Sequence, residues 1–123
     1  MNDSLIRAVF KAADSCEAKQ FANYLTEDVV FRFGNAPECI GKVSVEENLT
    51  GFFSLIKTMS HKLVGIHQSE DVWAVEGVVN YVDNFGRKFS YQVCSVMRLR
   101  ENKFCEYRIY VDNHDMFIPT ASD

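Results

Sequence analysis

The residues of this chain best suited to moving protons near neutral pH are its three histidines and a few acids placed at the ends of apolar runs. His61 opens a β-rich stretch, and a neutral imidazole there can serve as a general base. The bland alternative is a helix-end or strand-start residue hydrogen-bonded to backbone. Asp28 precedes one short strand and Asp112 closes the last one. Either carboxylate, at the rim of a cavity, could pair with His61 or orient a substrate hydroxyl. Equally, Asp28 reads as a turn or cap residue in Thr-Glu-Asp, and Asp112 as a surface polar position. Tyr81, Tyr91 and Tyr107 can each donate a hydrogen bond to a carbonyl or enolate oxygen, or be anchored to backbone.

Other chemistries are poorly served. His61, His67 and His114 lack the short spacings of metal motifs, so no metal is expected, and nothing calls for a cofactor. The cysteines, at 16, 39, 94 and 105, form no Cys-x-x-Cys pair and read as four free thiols. Cys94 and Cys105 fall within strands, as small buried hydrophobes. With 17 acidic and 13 basic side chains, a net charge of -4 and no long basic run, nucleic acid is not an expected partner. No stretch is apolar enough to span a bilayer, and the N-terminus lacks the pattern of an export signal, so a cytoplasmic location and no membrane contact are expected.

A length of 123 residues suits one domain, taken as 1–123. Residues 4–13 place Leu5, Ile6, Val9, Phe10 and Ala13 on one side of a 3.6-residue period, with Ser4 as cap. A break at Asp14 and Ser15 leads to a second short helix over 16–25, its first amides capped by one of those two residues. Residues 29–33, VVFRF, read as a strand, and 35–44 as a loop carrying Pro37 and Gly41. Helical spacing returns over 43–58 through Val45, Leu49, Phe52, Phe53 and Ile56, with Ser44 and Glu47 placed for a capping box. The rest reads as sheet, with strands over 61–69, 72–82, 88–100 and 104–112 joined by short turns into an antiparallel meander. The order predicts an α+β fold in which a curved sheet closes over three helices as a cone.

Alternation assigns the faces. Trp73, Val75, Gly77, Val79 and Tyr81 form one inner row. Phe89, Tyr91, Val93, Ser95, Met97 and Leu99 form the next, and Cys105, Tyr107, Ile109 and Val111 the last. Phe31, Phe33, Phe52, Phe53, Trp73 and Met97 are expected to supply an apolar lining, provided that a cavity survives packing. Glu76 falls outside by this phase; a slip of one residue would make it the leading internal acid. The outer row carries Val78, Cys94, Val96 and Tyr110, so a homodimer through that face is expected, unless the long helix or the tail covers it.

The segments FANYLTEDVVFRFGNAPECIGKVSVEENLTGFF, VWAVEGVVNYVDNFGR and ENKFCEYRIYVD, in this order and spacing, resemble the NTF2-like superfamily and, within it, the SnoaL-like, polyketide cyclase-like branch. The resemblance spans about residues 5 to 117. It implies a cone-shaped mixed or antiparallel sheet around three helices, the cystatin-like roll, with a pocket between them and frequent dimerisation. Members include polyketide cyclases, ketosteroid isomerase, limonene-1,2-epoxide hydrolase, dehydratases and non-catalytic binding domains, so fold alone does not fix the reaction. Where the epoxide hydrolase keeps Arg, Asp and a second Asp, this chain has Gly77, Val79 and Ile109, and that triad is absent.

The expected function is cofactor-free acid–base chemistry of cyclase, isomerase or dehydratase type on an apolar, carbonyl-containing small molecule. His61, Asp28 and Asp112 are the catalytic candidates. Phe31, Phe33, Phe53, Trp73, Val79, Tyr81, Tyr91, Tyr107 and Ile109 are the candidate lining. The competing reading is a ligand-binding or dimeric interaction domain that catalyses nothing.

Overall fold

The computed structural model describes residues 2–118. Helix α1 (Ser4–Asp14) buries Ile6, Val9, Phe10, Ala12 and Ala13, the face set by the helical period. Ser4 is its first residue rather than its cap, a place taken by Asp3. The turn after it passes through Cys16 in the left-handed region (φ 57), and α2 (Ala18–Ala22) follows, only five residues long. Strand β1 (Leu25–Phe33) starts four residues earlier than alternation suggested. A two-residue strand, β2 (Cys39–Ile40), pairs back onto it inside the segment expected to be loop.

Helix α3 (Lys42–Phe53) is capped by Gly41 at φ 98, with no side-chain cap, so the Ser44–Glu47 box does not form. It also ends five residues short of the expected boundary. Ser54 and Leu55 turn the chain, and Ile56, read as part of the helical face, instead opens strand β3 (Ile56–Ser69). β3 pairs with β4 (Val72–Asp83), β4 with β5 (Lys88–Arg100) and β5 with β6 (Lys103–Val111), the antiparallel meander. β1 then adds parallel to β6, giving a curved, unclosed mixed sheet in the order β2-β1-β6-β5-β4-β3. A short 3-10 turn, η1 (His114–Phe117), ends the described chain.

Burial along β4 follows the expected alternation, with Trp73, Val75, Gly77, Val79 and Tyr81 inside and Glu76 and Asn80 exposed. In β6 the phase breaks. Met97 pairs with Tyr107 but Leu99 with Phe104, so β6 carries one more residue than its partner between these pairs. That bulge turns Phe104, assigned to the outer row, fully into the core, while Cys105 is only half-buried. Bulges also interrupt β3, near Lys57 and Val64. Beside the second, a Cβ on Gly77 would lie 2.6 Å from the carbonyl oxygen of Lys62, so the sheet bends where only glycine fits.

The outer surface is charged near β6. Arg98 pairs with Asp71 and Glu106, and Arg108 with Glu106 and Glu38. Such exposed pairs contribute only tenths of a kcal/mol each, up to about 1. Val64 and Tyr110, on the same face, remain largely exposed, so among the described residues neither α3 nor η1 covers them. All four cysteines are free and half-buried, Cys94 on the outer face rather than in the core. No helix among the described residues is long and apolar enough to cross a membrane.

Candidate active site

The inward side chains of β1, β3, β4, β5 and β6 and one face of α3 leave a small chamber of about 40 Å³ against the end of α1. Its lining is mainly aromatic, with Phe21, Phe31, Phe33, Phe52 and Phe53 opposite Ile109, Val93 and Met59. Into this apolar wall the sequence inserts few polar side chains: His61, Tyr81, Ser95 and Tyr107.

His61 reaches the chamber because the inner row of β3 runs Ile56, Met59, His61 after the first bulge. β3 is a sheet edge, so its outward amides need partners. The carboxylate of Asp14, the last residue of α1, supplies one. Its Oδ2 accepts the backbone N–H of His61 at 3.0 Å, and its Oδ1 lies 2.6 Å from Nδ1 of the same residue. With Asp14 ionised, Nδ1 must be the donor, which leaves the Nε2 lone pair free in the neutral ring. Phe10 meets the imidazole edge-on at a centroid distance of 5.0 Å and fixes its plane. The His61 side chain is 10% exposed, so the pair is partly shielded from water.

Tyr81 lies on β4 diagonal to His61, whose direct partner is Val79. At that offset long side chains on one face come within reach of each other. Burial pushes the Tyr81 phenol well above its ordinary value, with the nearby Tyr91, Asp14 and Cys16 adding to the rise. Burial does the same to Tyr107, only partly offset by the Ser95 hydroxyl beside it. Both phenols therefore keep their protons at neutral pH, which suits them to donate hydrogen bonds rather than to act as bases.

The other anticipated residues are dispersed. Asp28 lies exposed on β1, away from the lining, with its carboxyl held below the usual range by hydrogen bonds from Arg100, at 2.5 Å, and from Thr26. Asp112 is exposed just past β6, in a surface groove with His114 and Phe117. Neither is the partner of His61; Asp14, read in the sequence only as a helix break or cap, takes that place. Phe31, Phe33, Phe53, Tyr81, Tyr107 and Ile109 line the chamber. Trp73, Val79 and Tyr91 share the inner face but not the lining. Trp73 and Val79 are solid core, and Tyr91 stacks on Phe89 with its hydroxyl enclosed and without a well-formed hydrogen bond. Glu76 is outside, bonded to His67 at 2.7 Å.

With this geometry in place, comparison with known proteins assigns the class. Residues 6–107 match the model of the SnoaL-like domain, and the chain belongs to that family. No curated protein matches it in sequence. Among solved structures it is similar to a protein of ketosteroid isomerase-like fold from Catenulispora acidiphila, in complex with trimethylamine, at TM-score 0.82 and 11% identity over 89% of this chain and 86% of that one. It is also similar to an LEH-like epoxide hydrolase of M. tuberculosis (TM-score 0.78, 17% identity, 92% and 84% covered). An NTF2-like protein of Anabaena variabilis gives 0.77 at 21% identity, with 89% and 87% covered. At such identities the likeness establishes the NTF2-like fold.

Proposed function

We propose that the chain is a cofactor-free enzyme that moves a proton on the carbon next to a carbonyl in a small apolar substrate. The observation that carries this reading is the Asp14–His61 hydrogen bond at 2.6 Å, at the wall of an apolar chamber that also presents Tyr81. Nε2 of His61 accepts the α-proton, and the C–H electron pair moves through the carbonyl onto oxygen. The Tyr81 hydroxyl donates a hydrogen bond to that oxygen, while Asp14 stays ionised against the new imidazolium. Returning the proton to another atom gives isomerisation; expelling a β-hydroxyl as water gives dehydration. The family membership, and an epoxide hydrolase among the structural neighbours, support a small-molecule enzyme.

Proton–deuterium exchange at the α-carbons of butanone in D2O, followed by NMR, tests it. Wild type should exchange above buffer, and His61→Ala should fall to background, a loss of about 10²- to 10⁴-fold. Wild type at the buffer rate would reject the proposal.

A second reading, binding without turnover, is favoured by Gly77, Val79 and Ile109, which bring no ionisable group to the inner faces of β4 and β6. Ketone binding without any exchange would select it. On either reading we propose a homodimer through the outer face around Val64, Val78, Cys94 and Tyr110, which support it as a semi-apolar row.

A further inference from the structure

Beside the chamber runs an open groove of about 520 Å³ between α3 and the β1–β2 connection, more than ten times the chamber's volume. Phe31, Phe33, Leu49 and Phe52 line both spaces, so the two are separated by a wall one side chain thick. Phe33 and Phe52 close that wall edge to face at 4.9 Å, and both are only half-buried. In the helix that carries Phe52, Val45 and Leu49 are the only fully buried residues of twelve, while Phe52 and Phe53 pack half-buried against the core. Gly51, next to Phe52, has open space around it. Phe52 also packs on Tyr81, Phe53 and Phe117, so opening the wall means swinging the half-buried Phe33 and Phe52 rings toward the open groove, with those contacts exchanged for contacts to the ligand.

The chemistry of the groove narrows what can lie in it. Pro37, Cys39 and the exposed Ile40 make one side apolar. Its one acid, Glu38, is already engaged by Arg108, and the Asn48 amide is spent on Cys39 Sγ and the Ser44 carbonyl. No Lys or Arg among the described residues lines it. A carboxylate or phosphate has no partner there.

We infer that the substrate is a neutral, elongated carbonyl compound. Its small head reaches His61 past the displaced Phe33–Phe52 pair, and its apolar chain occupies the groove. This rests on the acid–base reading for the head alone; the groove is tested by binding, whether or not turnover occurs.

Calorimetric titration of the 2-alkanones from butanone to 2-decanone reads it directly. In wild type each added methylene should tighten binding by about three- to fourfold, from the free energy of burying one CH₂, until the groove is filled. Ala36→Trp and Asn48→Trp, both at exposed positions on opposite sides of the groove, should each flatten this gradient to under about twofold per methylene. 9-Oxodecanoate, with a carboxylate at the chain end, should bind at least about tenfold more weakly than 2-decanone. The inference fails if no 2-alkanone binds, if wild type shows no dependence on chain length, if neither Trp variant alters it, or if the carboxylate costs nothing. Length-dependent binding without α-proton exchange would instead remove the acid–base reading and leave the groove standing.

Discussion

A carboxylate at the C-terminal end of a helix opposes the partial negative charge of the helix dipole, yet Asp14 occupies that place in α1. Its two hydrogen bonds to His61 explain it, because a tertiary partner outweighs a local preference worth tenths of a kcal/mol. That mismatch was the one sign of Asp14 present in the sequence. Nothing in residue spacing says which strand lies 47 positions away, so the pairing itself was not legible. Tyr81 and Tyr107 were, since period 2 places each on an inner row, whereas His61 was singled out by its chemistry and its place at a strand start and not by its face. Tyr81→Phe should lower α-proton exchange by about 10²-fold if its hydroxyl meets the oxyanion, with binding of butanone little changed, as NMR rates and titration would show. Asp83 provides a pH test. Burial alone would raise its carboxyl, but hydrogen bonds from the Arg87 side chain and amide and from the Phe85 amide outweigh this and hold it below its usual value. A lowered folded-state value means that its stabilisation is complete above the unfolded value, about pH 4, and is lost as pH falls below that. Melting temperature should therefore drop more steeply below about pH 4 in wild type than in Asp83→Asn, which starts lower at pH 7.

At the scale of elements, the long strands were legible and the irregularities were not. Alternation of Val, Tyr and Trp with polar residues defines β4 on its own, whereas a bulge adds a residue without changing the local pattern. Phe104 shows the cost of that ambiguity: a strict period assigns it to solvent, and one extra residue in β6 buries it completely. Phe104→Ala should destabilise the protein by about 3–5 kcal/mol, read as a shift in the urea midpoint. The end of α3 was misjudged for a related reason. Phe52, Phe53 and Ile56 continue a helical spacing, but Phe53 ends the helix and Ile56 pairs with Asp83 in the sheet. Gly77 depends on the β3 backbone crossing close above it. Gly77→Ala should cost about 1–3 kcal/mol, since the added methyl meets a carbonyl oxygen that cannot turn aside without breaking the bulge.

For the molecule as a whole, three short helices and one long meander left few ways to bury both sets of apolar faces, and the cone was readable for that reason. The chamber was harder to foresee, because aromatic side chains that line a cavity and those that fill a core follow the same alternation. Trp73 and Ile109 share an inner face, yet one is solid core and the other faces open space. If the outer face joins two copies, Tyr110→Arg should convert a dimer to monomer in light scattering while the melting temperature stays within a few degrees of wild type.

The dependence of chemistry on the Asp14–His61 pair is tested most directly by a double-mutant cycle on the butanone exchange rate. Asp14→Asn alone should slow exchange by about ten- to a hundredfold, and His61→Ala should abolish it. Adding Asp14→Asn to His61→Ala should then change nothing further, since the carboxylate acts only through the imidazole. A wild-type rate in Asp14→Asn, or exchange above background in His61→Ala that falls by a further ten- to a hundredfold in the double variant, would contradict the account.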